Sequence, residues 1–272
     1  MMGKSPFLWN DLPKQYSDAV RSQAFIGEEL IHTIDFKPDD HVLDAGCGVG
    51  NLTLEIARKV PEGFITGMDV SEGRISQCED LFQKEKISNS RFYTGSIEEM
   101  TEEEEYTILF SNSVFQWVTD LDRALGNFYR ALRAGGLAAI QFPRLFGDHP
   151  MIFYPEKAIR ELSLEEYFAD WSFPACVPSE EELMQSMEKA GFTEILIRED
   201  ETAFSFPTAQ KLFDHFKNVG YARYVQRLPE KYREVFLQKI LQDIEEDYTK
   251  NKTQWCKRWF AYGRKKEGEA TT

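Results

Sequence analysis

Nine residues, Val42 to Gly50 (VLDAGCGVG), constrain this chain more than any other stretch. Val42 and Leu43 are strand formers, and Asp44 stands where a strand gives out. Glycines follow at 46, 48 and 50, removing side chains where the backbone must turn sharply and admit a ligand. The next run, NLTLEIARKV, carries Leu52, Ile56 and Val60 at roughly helical spacing. Nineteen residues after Gly50, Asp69 closes a second apolar run, FITGMD. A glycine loop between strand and helix, then a strand-end carboxylate about 20 residues on, marks a nucleoside-binding α/β domain.

Two kinds of nucleoside ligand compete for that pattern. Dinucleotide sites use G-x-G-x-x-G and seat a pyrophosphate on the helix N-terminus. Here the spacing is G-x-G-x-G, with Asp44 just before the first glycine. A carboxylate there repels phosphate but suits a ligand with an ammonium group. S-adenosylmethionine carries one, together with a ribose diol for Asp69.

The remaining chain supports a parallel α/β core. Strand patterns fall at 41–45, 64–69, 91–95, 106–111 and 136–142, and helix patterns near 51–59, 71–84 and 120–133, with Gly135-Gly136 predicting a turn before the fifth strand. This alternation predicts a Rossmann-like, doubly wound sheet with ligand at the carboxyl ends of its strands. After Pro143 it lapses into a Pro- and aromatic-rich stretch, 143–178. A helix from Ser179 to Gly191, a strand over 193–206, helical material over 208–250 and a last strand follow. The division expected is one domain: a core of 36–142, 179–206 and 253–266, and a helical cap from 1–35, 143–178 and 207–252.

Composition narrows the partners. A formal charge of −14 disfavours nucleic acid, whose binding needs a basic face. No apolar run approaches the length of a membrane span, and the first residues lack a signal-peptide stretch. The four cysteines (Cys47, Cys78, Cys176, Cys256) are dispersed, which predicts reduced thiols in a cytoplasm and no metal site. The four histidines form no ligand-like pair in sequence, and the acidic run Glu98–Glu105 reads as a solvated segment.

VLDAGCGVG resembles motif I of the class I S-adenosylmethionine-dependent methyltransferases. The stretches GMDVS, FYTGSIEEM, YTILFSNSVFQWV and ALRAGGLAAIQFP resemble the family's later motifs in order. The resemblance implies a mostly parallel seven-stranded sheet with S-adenosylmethionine as cofactor. It places Asp44, Gly46, Cys47, Gly48 and Gly50 at the amino acid part, Asp69 and Val70 at the ribose and adenine, and Ser96 and Ile97 beside the adenine. Ser96 stands where the family commonly has Asp. Asn112 falls beside the methionine part, and Gln116 and Trp117 line the methyl-transfer pocket. For each of these residues a purely structural role, in capping or in the core, is the competing reading.

Within that family the chain is similar to the group holding trans-aconitate, malonyl-carrier-protein and juvenile hormone acid methyltransferases. This implies O-methylation of a carboxylate on a small or carrier-bound acid by a monomer or homodimer. By the same resemblance, Tyr16 and Gln23 belong to an entry segment closing over the cofactor. A carboxylate needs no general base but does need a cation. The candidates are Arg144, Arg223, Arg227 and Arg258, with Tyr221 and Tyr224. Methylation of a non-acid acceptor, and cofactor binding without turnover, stay open.

Overall fold

The computed structural model describes residues 23–145, 147–250 and 253–267. Its strands are β1 (His41–Ala45), β2 (Phe64–Asp69), β3 (Ser90–Thr94), β4 (Tyr106–Asn112), β5 (Leu132–Pro143), β6 (Thr193–Ser205) and β7 (Thr253–Arg264). They form one sheet in the order β3-β2-β1-β4-β5-β7-β6. The first five run parallel, whereas β7 is antiparallel to β5 and β6. From β1 the chain winds outward to β2 and β3, then crosses back to β4. The carboxyl ends of β1 and β4 therefore flank the crevice at the switch point, where such sheets take ligands.

The helices are α1 (Gln23–His32), α2 (Asn51–Lys59), α3 (Glu72–Glu85), α4 (Leu121–Ala131), α5 (Pro150–Glu161), α6 (Glu180–Ala190), α7 (Ala209–Phe216), α8 (Ala222–Val225) and α9 (Glu230–Lys250). The central strands β1 and β2 are near-continuous apolar runs because helices cover both faces. Leu30, Ile56, Ile75 and Phe82 pack with Val42 and Ile65 on one face, and Leu125, Phe128 and Met187 with Leu43 and Leu109 on the other. A third cluster, including Leu145, Met151, Leu212, Tyr224, Phe236 and Ile240, unites α5, α7, α8 and α9 in a separate helical layer.

Two expectations are corrected, and two segments of the cap gain detail. Residues 1–22 lie outside the described residues, but α1 joins the sheet cluster through Leu30 and Ile31, not the helical layer, because its apolar side chains meet Val42 and Ile56. The fifth strand begins at Leu132, and Gly135-Gly136 falls in an irregularity of the β4–β5 ladder, since pairing resumes at Ile108–Leu137. The stretch 143–178 contains α5, with Pro150 in its first turn, where no amide partner is needed, and Pro155 inside it. The helical material after 208 is broken by a π-turn at Lys217–Tyr221.

Local signals elsewhere act as expected. Ser179 and Glu182 form a reciprocal capping box on α6, and Gly191 ends it at φ 103°. Glu98, within the supposedly solvated acidic run, accepts hydrogen bonds from both Thr119 amide and hydroxyl and from the Asp120 amide. Among the described residues no helix is long and apolar enough to cross a membrane.

Candidate functional site

The glycine loop leaves β1 under tight backbone control. The amides of Gly46 and Cys47 both donate to the Met68 carbonyl, at 2.6 and 2.9 Å, which turns the chain back over β2. Gly46 has φ 88°, and a Cβ there would meet the Val114 side chain at 2.1 Å. Gly48 has φ 57°, and among the described residues nothing lies within 4 Å of a Cβ there. The two glycines serve different ends: one permits close packing, the other keeps a cradle empty.

Asp44 is 2% exposed and receives the Thr53 hydroxyl at 2.6 Å. Burial pushes its carboxyl up to about 7, against the hydrogen bond from Thr53 and with help from the charge of Asp69. An acid so placed gains from a cationic partner. Asp69, 5% exposed, accepts the Gly48 amide at 3.1 Å on one oxygen and the Ser71 amide at 2.9 Å on the other. Each oxygen keeps acceptor capacity for a further donor.

Two cavities adjoin this loop. The first, about 440 Å³, is lined by Asp44, Gly46, Cys47, Gly48 and Gly50, by Asn112, Gln116 and Trp117, and by Arg258. The second, about 460 Å³, is lined by Asp69, Val70, Ser96 and Ile97, and by Arg223. Gly46, Arg74, Ser113 and Trp117 line both, so the cavities share a wall. Ser113 holds φ 59°, a left-handed conformation that costs a non-glycine residue energy and gathers at functional sites. Val70 is 72% exposed at the rim of the second cavity.

Side chains from three adjacent strand ends converge under the first cavity. Asn112 pairs with Gln141 in the β4–β5 register, and Arg258 opposes Pro143 in β7. The Gln141 amide is oriented by its neighbours: its nitrogen donates to Asn112 Oδ1 at 2.6 Å, and its oxygen accepts from Arg258 Nη1 at 2.7 Å. Arg258 is 2% exposed, and burial works against its charge. His149 and His215 line the same cavity, their rings 5.5 and 4.7 Å from that of Phe216. Burial, then the Arg258 charge and His215, depress His149 to about 3; burial and Arg258 lower His215 as well. Both imidazoles are neutral near neutrality. Gln116 donates to the Ser113 carbonyl at 2.8 Å, while its buried Oε1 has no hydrogen-bond partner among the described residues.

Of the other acceptor candidates, Arg223 lines the second cavity and the rest that are described line neither. Arg144 pairs with Glu199 and sits 4.8 Å over the Trp259 ring, lining neither cavity, because β6 and β7 present those partners to it. Arg227 is exposed. Tyr221 donates to the Pro150 carbonyl inside the helical layer, and Tyr224 stacks on Phe173 there. Arg223 lies 4.5 Å over the Trp117 ring. Tyr16 falls outside the described residues, and Gln23 opens α1 without a described side chain.

Sequence reasoning missed Arg74, Gln141, His149 and His215. Gln141 was the most visible of these, as the only polar side chain in the apolar run LAAIQFP. Arg74 approaches Asp69 at 3.7 Å. The two histidines, 66 residues apart, reach the same cavity only because α5 and α7 both pack on α9. Among the described residues no three His, Cys, Asp or Glu groups gather as metal ligands.

Comparison with known proteins bears on this geometry. Residues 36–191 match the family described as "Methyltransferase domain". Over 135 residues the chain is 30% identical to trans-aconitate 2-methyltransferase of Deinococcus radiodurans, covering 50% of this chain and 49% of that protein. It is 31% identical over 121 residues to malonyl-[acyl-carrier protein] O-methyltransferase of Priestia megaterium, covering 44% and 43%. The alignments thus span about half the length of these curated relatives. Haemonchus contortus phosphoethanolamine N-methyltransferase 2, solved in complex with S-adenosyl-L-methionine, shares the fold with a TM-score of 0.55 and 15% identity. That match covers 89% of this chain and 52% of that one.

Proposed function

Because this chain belongs to the methyltransferase-domain family, we propose that it transfers a methyl group from S-adenosylmethionine to a carboxylate oxygen of a small or carrier-bound acid. The residues at the glycine loop suit that cofactor. The buried Asp44 carboxyl, raised by burial, is matched by an ammonium group, and Gly48 keeps open the space above the loop. Asp44, the loop from Gly46 to Gly50 and Asn112 would hold the amino acid part. Asp69 would take the ribose hydroxyls, with Val70, Ser96 and Ile97 along the adenine. When bound, S-adenosylmethionine supplies an electrophilic methyl group on a sulfonium centre.

One observation carries the acceptor class: the Arg258 guanidinium, 2% exposed, lines the same cavity as Asp44 and the glycine loop. A buried arginine braced by Gln141 presents fixed donors to an anion without reorganising. The acid arrives already ionised, with a reference pKa near 4, so these residues need not remove a proton. Their task is to hold one carboxylate oxygen in line with the methyl group and to keep it poorly hydrated. Trp117, in the wall shared by the two cavities, and Gln116, lining the first, limit how far the acceptor can stray.

The test is incubation of the purified chain with methyl-labelled S-adenosylmethionine and a panel of carboxylic acids, malonyl-carrier protein included, with products read by mass spectrometry. Base-labile methyl esters are expected. Label on a phenol, amine or carbon would overturn the carboxylate assignment, and cofactor uptake with no methylated product would make the chain a binding protein.

A further inference from the structure

Resting on the proposed cofactor placement, we propose that Gln141 is a positioning residue that turns the Asn112 amide nitrogen toward the carboxylate of the cofactor's amino acid part. Gln141 is fully buried, and its orientation is dictated from one side. Its oxygen faces the Phe142 amide at 3.2 Å and Arg258 Nη1 at 2.7 Å, groups that can only donate. Its nitrogen is left facing Asn112 at 2.6 Å, so the Asn112 atom that meets it is the oxygen, Oδ1. The polarity of one amide thus sets the polarity of the next. The reverse order is costly at a buried site, since it sets donor against donor at both Phe142 and Arg258. Arg258 is no lone cation here. Burial works against its charge, while Glu29 of α1 and Asp200, opposite it in the β6–β7 register, work to keep it. Two independent donors therefore hold the glutamine oxygen.

With Oδ1 so engaged, Asn112 has only Nδ2 to offer on its other side. Gly27 of α1 leaves that side open. A Cβ there would crowd Nδ2 at 3.1 Å and Leu52 Cδ1 at 2.1 Å, and both Asn112 and Leu52 line the first cavity beside Asp44. The amides of Gly46, Cys47, Gly48 and Gly50 are spent within the protein, on Met68, Asp69 and Cys47. A side-chain donor in this cavity is thus matched to a ligand anion. An amino acid whose ammonium group meets Asp44 carries its carboxylate on the same carbon, which brings that anion to the Asn112 side of the loop.

The experiment is titration calorimetry of the full chain with S-adenosylhomocysteine and with its decarboxylated analogue, which keeps the amine and lacks the carboxylate. Gln141→Met removes the amide bonds, and Gln141→Glu, able only to accept, makes Asn112 turn its nitrogen inward and its oxygen to the cavity. Affinity for S-adenosylhomocysteine should fall about tenfold in the first variant and further in the second, as for a lost hydrogen bond to a charged group. The decarboxylated analogue should stay within about twofold in both. Adding Gln141→Met to Asn112→Ala should cost nothing more, since Gln141 acts through Asn112. Asn112→Asp leaves the buried glutamine in place and puts an oxygen on the cavity side. It should show the same selective loss, and it decides the matter where the Gln141 variants do not fold. Equal losses for the two ligands, or additive losses in the double variant, would overturn the positioning role and leave the cofactor placement standing. A wild-type chain that binds neither ligand would overturn both.

Discussion

The Gly48 amide donates to the Asp69 carboxylate at 3.1 Å, joining the open glycine of the first loop to the acid that ends β2. With the Ser71 amide on its other oxygen, Asp69 fixes two loops at once. An acid in this position does more than line a cavity. It sets the shape of the cradle that the cofactor's other half must enter.

Substitution at Asp69 should therefore separate two roles. Asp69→Asn keeps one acceptor for a backbone amide and should weaken S-adenosylhomocysteine binding by about 1 kcal/mol. Asp69→Ala removes both anchors and the ribose partner and should cost about 3 kcal/mol or more. Titration calorimetry checks the pair. Equal losses in the two variants would remove the loop-anchoring role.

Asp44 should make cofactor binding and apo stability respond oppositely to pH. Its folded pKa, about 7, lies above the ordinary 3.8. The stability it contributes is thus fully present below about 4 and is lost as pH rises through 7. Asp44→Asn should stabilise the apoprotein at pH 8 by a few kcal/mol, on the order of 4 by full linkage, and by almost nothing near pH 3.5. The same change should abolish measurable S-adenosylhomocysteine binding. In the wild type, affinity should fall about tenfold per pH unit below 7, with a proton released on binding at pH 6. Urea denaturation and calorimetry in buffers of different ionisation enthalpy read both effects.

His149 should carry the opposite slope. Its depressed folded pKa, about 3, means that the unfolded chain binds a proton first as pH falls. Stability owed to the neutral imidazole is present above about 6.5 and is lost toward 3, at about 1.4 kcal/mol per pH unit. The side chain also caps α5 by accepting the Met151 amide at 3.2 Å. Asparagine keeps a cap there. His149→Asn should therefore lose about 2–3 kcal/mol less than wild type between pH 6.5 and 4.5, measured by chemical denaturation.

Arg258 should act on the acceptor and not on the cofactor. Arg258→Met should lower kcat/KM for an acid acceptor at least about a hundredfold, consistent with losing a charge-assisted hydrogen bond of about 3 kcal/mol. S-adenosylhomocysteine affinity should stay within about threefold. Arg258→Lys keeps the charge but not the fork and should fall between the two. Steady-state kinetics with parallel calorimetry measure this. Equal losses in methylation and cofactor binding would place Arg258 in a general structural role.

Much of the core was legible because its signals are local. β1, β2 and the glycine loop lie within thirty residues, and each glycine or strand-end acid is demanded by the turn it occupies. The fifth strand was read four residues short because Gly135 and Gly136, strong turn formers, sit in a ladder irregularity that only pairing with β4 maintains. α5 lies in the Pro- and aromatic-rich stretch where the strand and helix alternation lapses. Pro150 occupies a first-turn position where proline fits. The role of α1 depended on what it touches, which periodicity does not reveal.

By itself the sequence determined a parallel nucleoside-binding sheet, its glycine loop and its two acids, because strand, turn and carboxylate lie close along the chain. Tertiary structure alone decided where the candidate arginines lie. It set Arg258 in the cavity beside Asp44, set Arg223 in the second cavity and sent Arg144 to Glu199. It also brought His149 to His215, and Gln141 to both Asn112 and Arg258. Those groups come from strands and helices far apart in the chain. Their charge states are set by shared burial and by one another, and neither exists until the helical layer closes over the sheet.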